Sequence, residues 1–354
     1  MRVLVTGHHG YLGSVMTPQV VRAGHDVVGL DTGYFADCRF VPDELQVPTI
    51  HKDIRDLEPV DLEGFDAVIH LAALSNDPVG NLNSRWTEEI NFQASVRLAE
   101  YAKAAGVRRF LFSSSCIMYG MSEAAVVTEE SPLDPQTDYA RSKVKSERAI
   151  AAMADEGFAP TFLRNGTIYG LSPRMRFDTV LNNLMGSAVV TGKVVLHGDG
   201  LPWRPVVHIE DVSRAFRHVL EAPLEIVQNQ AFNTGADWMN CQIRQLAEIV
   251  ARMVPGCTVE CLAQPDADQR TYKTHFSKFA RAFPDFRFRW SLADGARQLC
   301  EAFRAAGLTR EELTDRRFTR LTWLRHLLES GRLDANLRWQ EKTAVSVQRR
   351  ACSR

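Results

Sequence analysis

Neither sign of charge dominates this chain. Its 354 residues carry 42 Lys plus Arg against 43 Asp plus Glu, a formal net charge of -1. That balance gives no reason to expect nucleic acid or an anionic membrane surface as a partner. No apolar stretch approaches the length that spans a bilayer, so no membrane association is expected. Cysteine is sparse and unpatterned. The seven residues form no CxxC pair, and Cys257 and Cys261 have no His or Cys at zinc-like spacing. No metal site is expected, and the thiols read as free in a reducing, cytoplasmic setting. The chain opens at once on an apolar strand, so no secretory leader is expected. Internal repeats and low-complexity segments are also missing. What remains is ordinary for a globular protein, with 45% hydrophobic and 24% charged residues. The length suits one or two closely joined domains.

The first half alternates short apolar runs with helical patterns. Segments 2–6, 25–31, 67–72 and 109–114 read as buried parallel strands, with a further strand at 161–164. Segments 13–23, 88–105 and 139–154 read as helices. This alternation predicts an α/β fold, a doubly wound parallel sheet, with a smaller mixed C-terminal lobe. One domain is expected over 1–170 plus about 205–235, and a second over 171–204 plus about 236–308. Residues 309–354 form a helical extension. Its part 309–330 reads as one basic amphipathic helix with Leu313, Leu321, Leu324 and Leu328 on one side. The polar residues from about Trp339 read as frayed.

The first chemical signal is Thr6-Gly7-His8-His9-Gly10-Tyr11-Leu12-Gly13, directly after the run Val3-Leu4-Val5. Gly7 permits a tight turn, Gly10 lets the backbone approach a pyrophosphate, and Gly13 lets the helix pack on the sheet. The phosphates would sit at the helix N terminus, where N–H groups and the dipole favour anions. The spacing is GxxGxxG, and three glycines alone are weak evidence. Asp31 ends the second strand, where a carboxylate accepts hydrogen bonds from ribose hydroxyls and repels a 2′-phosphate. That favours NAD over NADP. A solvated turn Asp is the alternative. Asp53-Ile54 follows the third apolar segment and would cap the adenine, or Asp53 is a plain turn residue.

The second signal is Tyr139-Ala140-Arg141-Ser142-Lys143, with Ser113-Ser114-Ser115 upstream. Tyr139 and Lys143 are one helical turn apart and share a face. A free Tyr, with a pKa of about 10, is a poor base at neutral pH. A neighbouring ammonium and a positive nicotinamide ring favour its phenolate. Ser115 ends a buried strand and could hydrogen-bond the same substrate oxygen. The three groups suit removal of a proton from an alcohol as hydride leaves its carbon.

With these residues the chain resembles the extended short-chain dehydrogenase/reductase family, in its nucleotide-sugar epimerase/dehydratase branch. The likeness covers most of residues 1–300. It includes the motifs above, His70-Leu71-Ala72-Ala73, Asn91, Leu163-Arg164, Tyr169-Gly170, the run from Gly198 to Arg204, His208-Ile209-Glu210-Asp211 and Phe232-Asn233-Thr234-Gly235. The resemblance implies that Leu71, Ala72 and Ala73 line the cofactor, with Ser113 nearby. It implies that Lys143 binds the nicotinamide ribose. It also implies that Arg204 and Arg270 clasp a substrate diphosphate, a task suited to the fixed guanidinium fork; a surface salt bridge is the alternative for each. A homodimer through a four-helix interface built from 91–105 and 139–154 is implied as well.

Departures narrow the expectation. Dehydratase members carry Asp and Glu just after the catalytic Ser/Thr, and here Cys116 and Ile117 follow Ser115. Isoleucine cannot carry a proton, so 4,6-dehydratase chemistry is not expected. Thr167 stands where relatives often have a sugar-contacting Asn, with Asn165 two residues earlier. Ser75-Asn76-Asp77-Pro78 would face the sugar, or form a plain turn. The expected function is therefore an NAD-dependent epimerase acting on a nucleotide-diphosphate sugar through a transient keto-sugar. A net dehydrogenase or ketoreductase is the alternative, and a non-catalytic NAD sensor a more distant one. Expected substrate contacts are Ser75, Asn76, Asp77, Ser115, Cys116, Tyr139, Asn165, Thr167, Arg204 and Arg270.

Overall fold

The computed structural model describes residues 1–121, 126–262 and 270–340. Twelve strands are present among them. The first six are β1 (Arg2–Thr6), β2 (Asp26–Asp31), β3 (Thr49–His51), β4 (Ala67–His70), β5 (Arg109–Ser115) and β6 (Ala159–Asn165). Then come β7 (Thr167–Tyr169), β8 (Lys193–His197), β9 (Trp203–His208), β10 (Gln230–Thr234), β11 (Asn240–Gln242) and β12 (Thr258–Leu262). The main sheet has seven strands in the order β10-β6-β5-β4-β1-β2-β3. All its pairings are parallel.

The sequence explains why these segments lie flat between layers. In β1 the side chains of Val3, Leu4 and Val5 are fully buried, and β4 is buried along its whole length. A strand covered on both faces reads as a continuous apolar run rather than an alternating one. From β1 the chain winds outward through β2 and β3. It then returns to the other side of β1 for β4, β5 and β6. This reversal is the topological switch point, where open α/β sheets bind ligands beyond the carboxyl ends of their strands.

Two smaller sheets complete the fold: β11-β9-β7, and a pair of β12 with β8. The helix Val180–Thr191 and the helices Ile243–Met253 and Leu292–Ala305 pack with them in a second core around Leu181, Met185, Leu246 and Phe303. No described helix is long and apolar enough to cross a membrane.

The C-terminal extension differs from the single helix expected over 309–330. It forms a short helix, Arg310–Leu313, a 3-10 turn, Arg316–Phe318, and the helix Arg320–Glu329. Asp315 accepts a hydrogen bond from Arg317 N and starts the 3-10 turn, and Thr319 is extended with φ -122. These local caps interrupt the apolar stripe. Leu313 consequently packs in the second core, whereas Leu321, Leu324 and Leu328 pack against the first. The part of the tail beyond residue 340 lies outside the described residues.

Candidate active site

A cleft of about 1040 Å³ runs along the carboxyl ends of β1, β2, β4 and β5. That lies at the upper end of the roughly 300–1,000 Å³ usual for small-molecule and cofactor pockets. At one end, Gly7 turns the chain sharply out of β1 with φ +73, and a Cβ there would lie 2.8 Å from Ala72 N. A Cβ on Gly13 would strike the Gly7 carbonyl oxygen. Only bare backbone lets the turn pack this closely under the cleft. The helix Gly13–Arg22 that follows has no side-chain cap and no acidic residue in its first turn. Ser14, Val15 and Met16 already donate to the Gly10 and Leu12 carbonyls, so among the described residues the N–H groups of Tyr11, Leu12 and Gly13 ahead of them, with the helix dipole, are left for an anion. This turn therefore fits a dinucleotide pyrophosphate.

Asp31 and Asp53 both line the cleft at this end, with Ile54, Gly10, Tyr11 and Leu12. The Asp31 carboxylate accepts from His9 N at 3.1 Å and Gly33 N at 2.8 Å, which fixes its direction. Asp53 is more heavily engaged. It caps a short turn through Arg55 N and pairs with the Arg55 guanidinium at 2.7 Å and with Arg338 at 3.2 Å. Arg338 comes from the C-terminal extension, 285 residues away in the chain, so spacing alone could not reveal it as a partner.

Leu71, Ala72 and Ala73 line the floor beyond β4. Behind them Asn91 is buried, in a π-helical turn, Glu88–Gln93. Its amide accepts from Leu74 N at 2.8 Å and donates to Leu74 O at 3.1 Å. Asn91 thus clamps the loop backbone and does not line the cleft itself. The next residues are held by side chains rather than by a simple turn. Asn76 adopts φ 82, accepts from Val79 N and donates to Asp178 at 3.0 Å. Asp77 accepts from Thr137 Oγ1 at 2.6 Å and pairs with Arg270 at 2.7 Å. Ser75 Oγ accepts from Arg176 Nη1 at 3.2 Å.

Ser115, Tyr139 and Lys143 all line the cleft. Thr137 caps the helix Asp138–Ala151 by accepting from Ala140 N, which sets Tyr139 in its first turn and Lys143 in the next. Lys143 Nζ donates to Ser113 O at 2.7 Å and lies 5.7 Å from the centre of the Tyr139 ring. Burial depresses the Lys143 pKa to about 8. Burial, with the nearby Asp77 carboxylate, raises the Tyr139 phenol above its ordinary value. Ser115 ends β5, and its hydroxyl accepts from Ile117 N at 3.3 Å. Asn165, at the end of β6, donates to Ser113 Oγ and Ser114 O, each at 3.2 Å, and Thr167 begins the adjacent β7. Both line the cleft, as do Arg204 and Arg270. Arg204 Nη1 donates to the Arg270 carbonyl, so the two arginines meet beside Tyr272.

Cys116 departs from the expectation that it touches substrate. It is 1% exposed, packs with Tyr119, Val127 and Tyr272, and donates from Sγ to Arg164 O at 3.2 Å. Burial raises its thiol to about 12. Its neighbours Ser115 and Ile117 face the cleft instead. Other cleft residues had escaped notice: Thr137, Arg176, Asp178 and Arg320. The alternation Arg174-Met175-Arg176-Phe177-Asp178 was a signal, set in a stretch that otherwise looked irregular. Among the described residues no His, Cys, Asp and Glu cluster could hold a metal ion.

Comparison with known proteins agrees with this geometry. A UDP-glucose 4-epimerase of Corynebacterium glutamicum is 30% identical over 283 residues, covering 75% of this chain and 84% of that enzyme. A UDP-glucose 4-epimerase of Bacillus subtilis is 27% identical over 307 residues, covering 76% and 91%. Among solved structures, MoeE5 in complex with UDP-glucuronic acid and NAD superposes with a TM-score of 0.74 at 27% identity, covering 86% of this chain and 100% of that one. DesIV, a dTDP-glucose 4,6-dehydratase from Streptomyces venezuelae with NAD bound, gives 0.74 at 26% identity, covering 86% and 97%. The model of the NAD dependent epimerase/dehydratase family matches residues 3–235, which hold the glycine-rich turn, Ser115, Tyr139 and Lys143. This chain belongs to that family, and NAD is its cofactor.

Proposed function

We propose that this protein is an NAD-dependent nucleotide-sugar epimerase that inverts a carbinol carbon, C4 by likeness to its relatives, through a transient keto-sugar. What supports this reading most is that Ser115, Tyr139 and Lys143 line one cleft together with Ile117. A hydroxyl, a phenol and an ammonium can move a proton to and from a sugar oxygen. The isoleucine side chain offers no acid for eliminating water. In this reading Asp77 does not replace that acid: it accepts from Thr137 Oγ1 and from Arg270, and its remaining lone pairs accept from a sugar hydroxyl.

The glycine-rich turn, Asp31 and the floor at Leu71, Ala72 and Ala73 would hold the dinucleotide, with Lys143 on the nicotinamide ribose. NAD, when bound, supplies a reversible hydride acceptor and a positive ring that favours the Tyr139 phenolate. Tyr139 then takes the proton from the sugar hydroxyl and later returns it. Ser115 orients that oxygen. Lys143 keeps the phenol in its reactive state. Asn76, Asp77, Asn165 and Thr167 give fixed donors and acceptors for sugar hydroxyls, and Arg204 and Arg270 the charge for a diphosphate. A homodimer through the helices Ala94–Ala104 and Asp138–Ala151 completes the proposal, and a monomeric mass in solution would contradict that part.

The test is incubation of the pure protein with NAD and a panel of UDP-, dTDP-, GDP-, CDP- and ADP-sugars, with the sugar signals followed by NMR. A new stereoisomer without stoichiometric NADH is expected. A keto-sugar accompanied by matching NADH would replace the reading with a net dehydrogenase. An unsaturated or deoxy product would show that elimination does occur without an acid at residue 117.

A further inference from the structure

Three buried arginines cluster beside the cleft, and two of them, Arg176 and Arg320, line it. Arg174, Arg176 and Arg320 are 2%, 7% and 3% exposed. Arg174 is matched by Asp43 at 2.7 Å, and Arg176 by Asp178 at 2.8 Å. Arg320 differs, because among the described residues no carboxylate pairs with its side chain. Its backbone N–H donates to Asp178 at 3.1 Å, and its Nη2 donates to the Arg174 carbonyl at 2.8 Å. Its guanidinium lies 4.2 Å from the centre of the Phe35 ring, and Nη1 has no acceptor. A buried charge with an unused donor is costly unless an anion completes it. Burial and the neighbouring Arg176 pull the Arg320 pKa down to about 10, the direction of a cation short of compensating charge. It remains protonated at neutral pH.

The position of this charge points to the missing anion. Arg320 lines the same cleft as Gly10, Tyr11 and Gly13, and Phe35 follows Asp31 on the cofactor side. Arg176 lies 6.0 Å from the Tyr11 ring, and the Tyr11 hydroxyl feels the charges of both Arg176 and Arg320. The segment carrying Arg320 is fastened to that end of the cleft. Trp323 Nε1 donates to Tyr34 O and Trp339 Nε1 to Thr32 O, each at 2.7 Å, and Arg338 pairs with Asp53 at 3.2 Å. Thr32, Tyr34 and Asp53 all line the cleft. Arg204 and Arg270 form a separate pair beside Tyr272.

We infer that Arg320 is a cofactor-binding residue whose guanidinium supplies the positive charge for the dinucleotide pyrophosphate, which makes the C-terminal segment part of the cofactor site. Residue 320 lies beyond the stretch matched by the family model, which ends at residue 235. The inference rests on NAD as cofactor and not on the epimerase reading, and its test reads binding without turnover.

Full-length protein freed of nucleotide would be titrated calorimetrically with NAD, ADP-ribose and adenosine, as the parent, Arg320→Met and Arg320→Lys. Charge-assisted hydrogen bonds are worth roughly 10- to 100-fold in affinity. Arg320→Met should lose about that factor for NAD and for ADP-ribose, with Arg320→Lys between it and the parent. Adenosine has no pyrophosphate, and its affinity should change by no more than about twofold on the same argument. Equal NAD affinity in the parent and a folded Arg320→Met would overturn the inference. So would a loss confined to UDP binding by NAD-loaded protein, which would give Arg320 to the substrate diphosphate. If Arg320→Met does not fold, Arg338→Ala releases the segment from Asp53 while keeping Arg320. Faster NAD dissociation is then expected, and an unchanged rate would refute the role of the segment.

Discussion

Tyr139 and Lys143 stand one helical turn apart, yet their settings assign them different work. The Lys143 ammonium is anchored to Ser113 O and lies 4.5 Å from the centre of the Phe112 ring. It is a fixed charge that two neighbours orient. The Tyr139 phenol is raised above its ordinary pKa by burial and Asp77, so without a nearby positive charge it stays protonated. Tyr139→Phe should therefore lower kcat by about 10²- to 10⁴-fold, the usual contribution of a positioned acid/base, and leave NAD affinity within about twofold. Lys143→Met should lower both, since in the proposed reading it removes a charge that serves the phenol and the nicotinamide ribose alike. Steady-state kinetics paired with NAD titration separates the two patterns, and equal NAD affinity in both variants would remove the ribose contact from Lys143. At this scale the sequence revealed residues whose spacing is chemical: the glycines, Asp31, Ser115, Tyr139 and Lys143. It hid Arg176, Asp178 and Arg320, because a run of charges looks like a solvated face until tertiary packing buries it. Cys116 was misplaced for a related reason. It adjoins Ser115 in the chain but points behind the wall.

Secondary elements were legible wherever burial on both faces leaves an uninterrupted apolar run. That describes β1, β4 and β5, which together frame the switch point and fix where the cleft must lie. The extension was less legible. Its leucines fit one amphipathic stripe, but Asp315 and Thr319 break the helix and send the leucines into two different cores. The helix Arg320–Glu329 is held by Trp323, which is 5% exposed and joins the first core with Leu324 and Leu327. Trp323→Ala should cost about 3–5 kcal/mol, the range for deleting a large buried aromatic. Its Nε1 also leaves the Tyr34 carbonyl without a donor. Urea unfolding measures the loss. A change below about 1 kcal/mol, typical of surface substitutions, would mean that the extension does not dock as described.

Three buried histidines spread a common vulnerability across the whole molecule. His70 joins β4 to β1 and to the helix Ala94–Ala104, through Thr6 Oγ1 at 2.6 Å and Ser95 Oγ at 2.8 Å. His208 stacks on Trp290 with ring centres 4.0 Å apart and meets Gln298 at 2.9 Å. His8 sits under the glycine-rich turn with Thr49 Oγ1 at 3.0 Å. Burial is the largest cause in each case, lowering His70 to about 3 and His8 and His208 to about 4. An unfolded histidine titrates at about 6.5. Between these limits the unfolded chain binds protons that the folded chain refuses, so stability rises with pH across the window and is flat above it. On acidification from about pH 6.5 to about 4, each imidazole should remove up to roughly 1.4 kcal/mol per pH unit. The three sites lie in the main sheet, the smaller sheet and the cofactor turn, so their losses should add within one cooperative transition. Urea midpoints taken at about pH 7.5 and pH 5 should fall on the acid side, and His208→Gln should reduce the pH slope without abolishing it, because burial lowers His9 and His218 as well as His8 and His70. Unchanged midpoints would mean that the folded chain accepts these protons, and that at least one imidazole opens to water before the molecule unfolds.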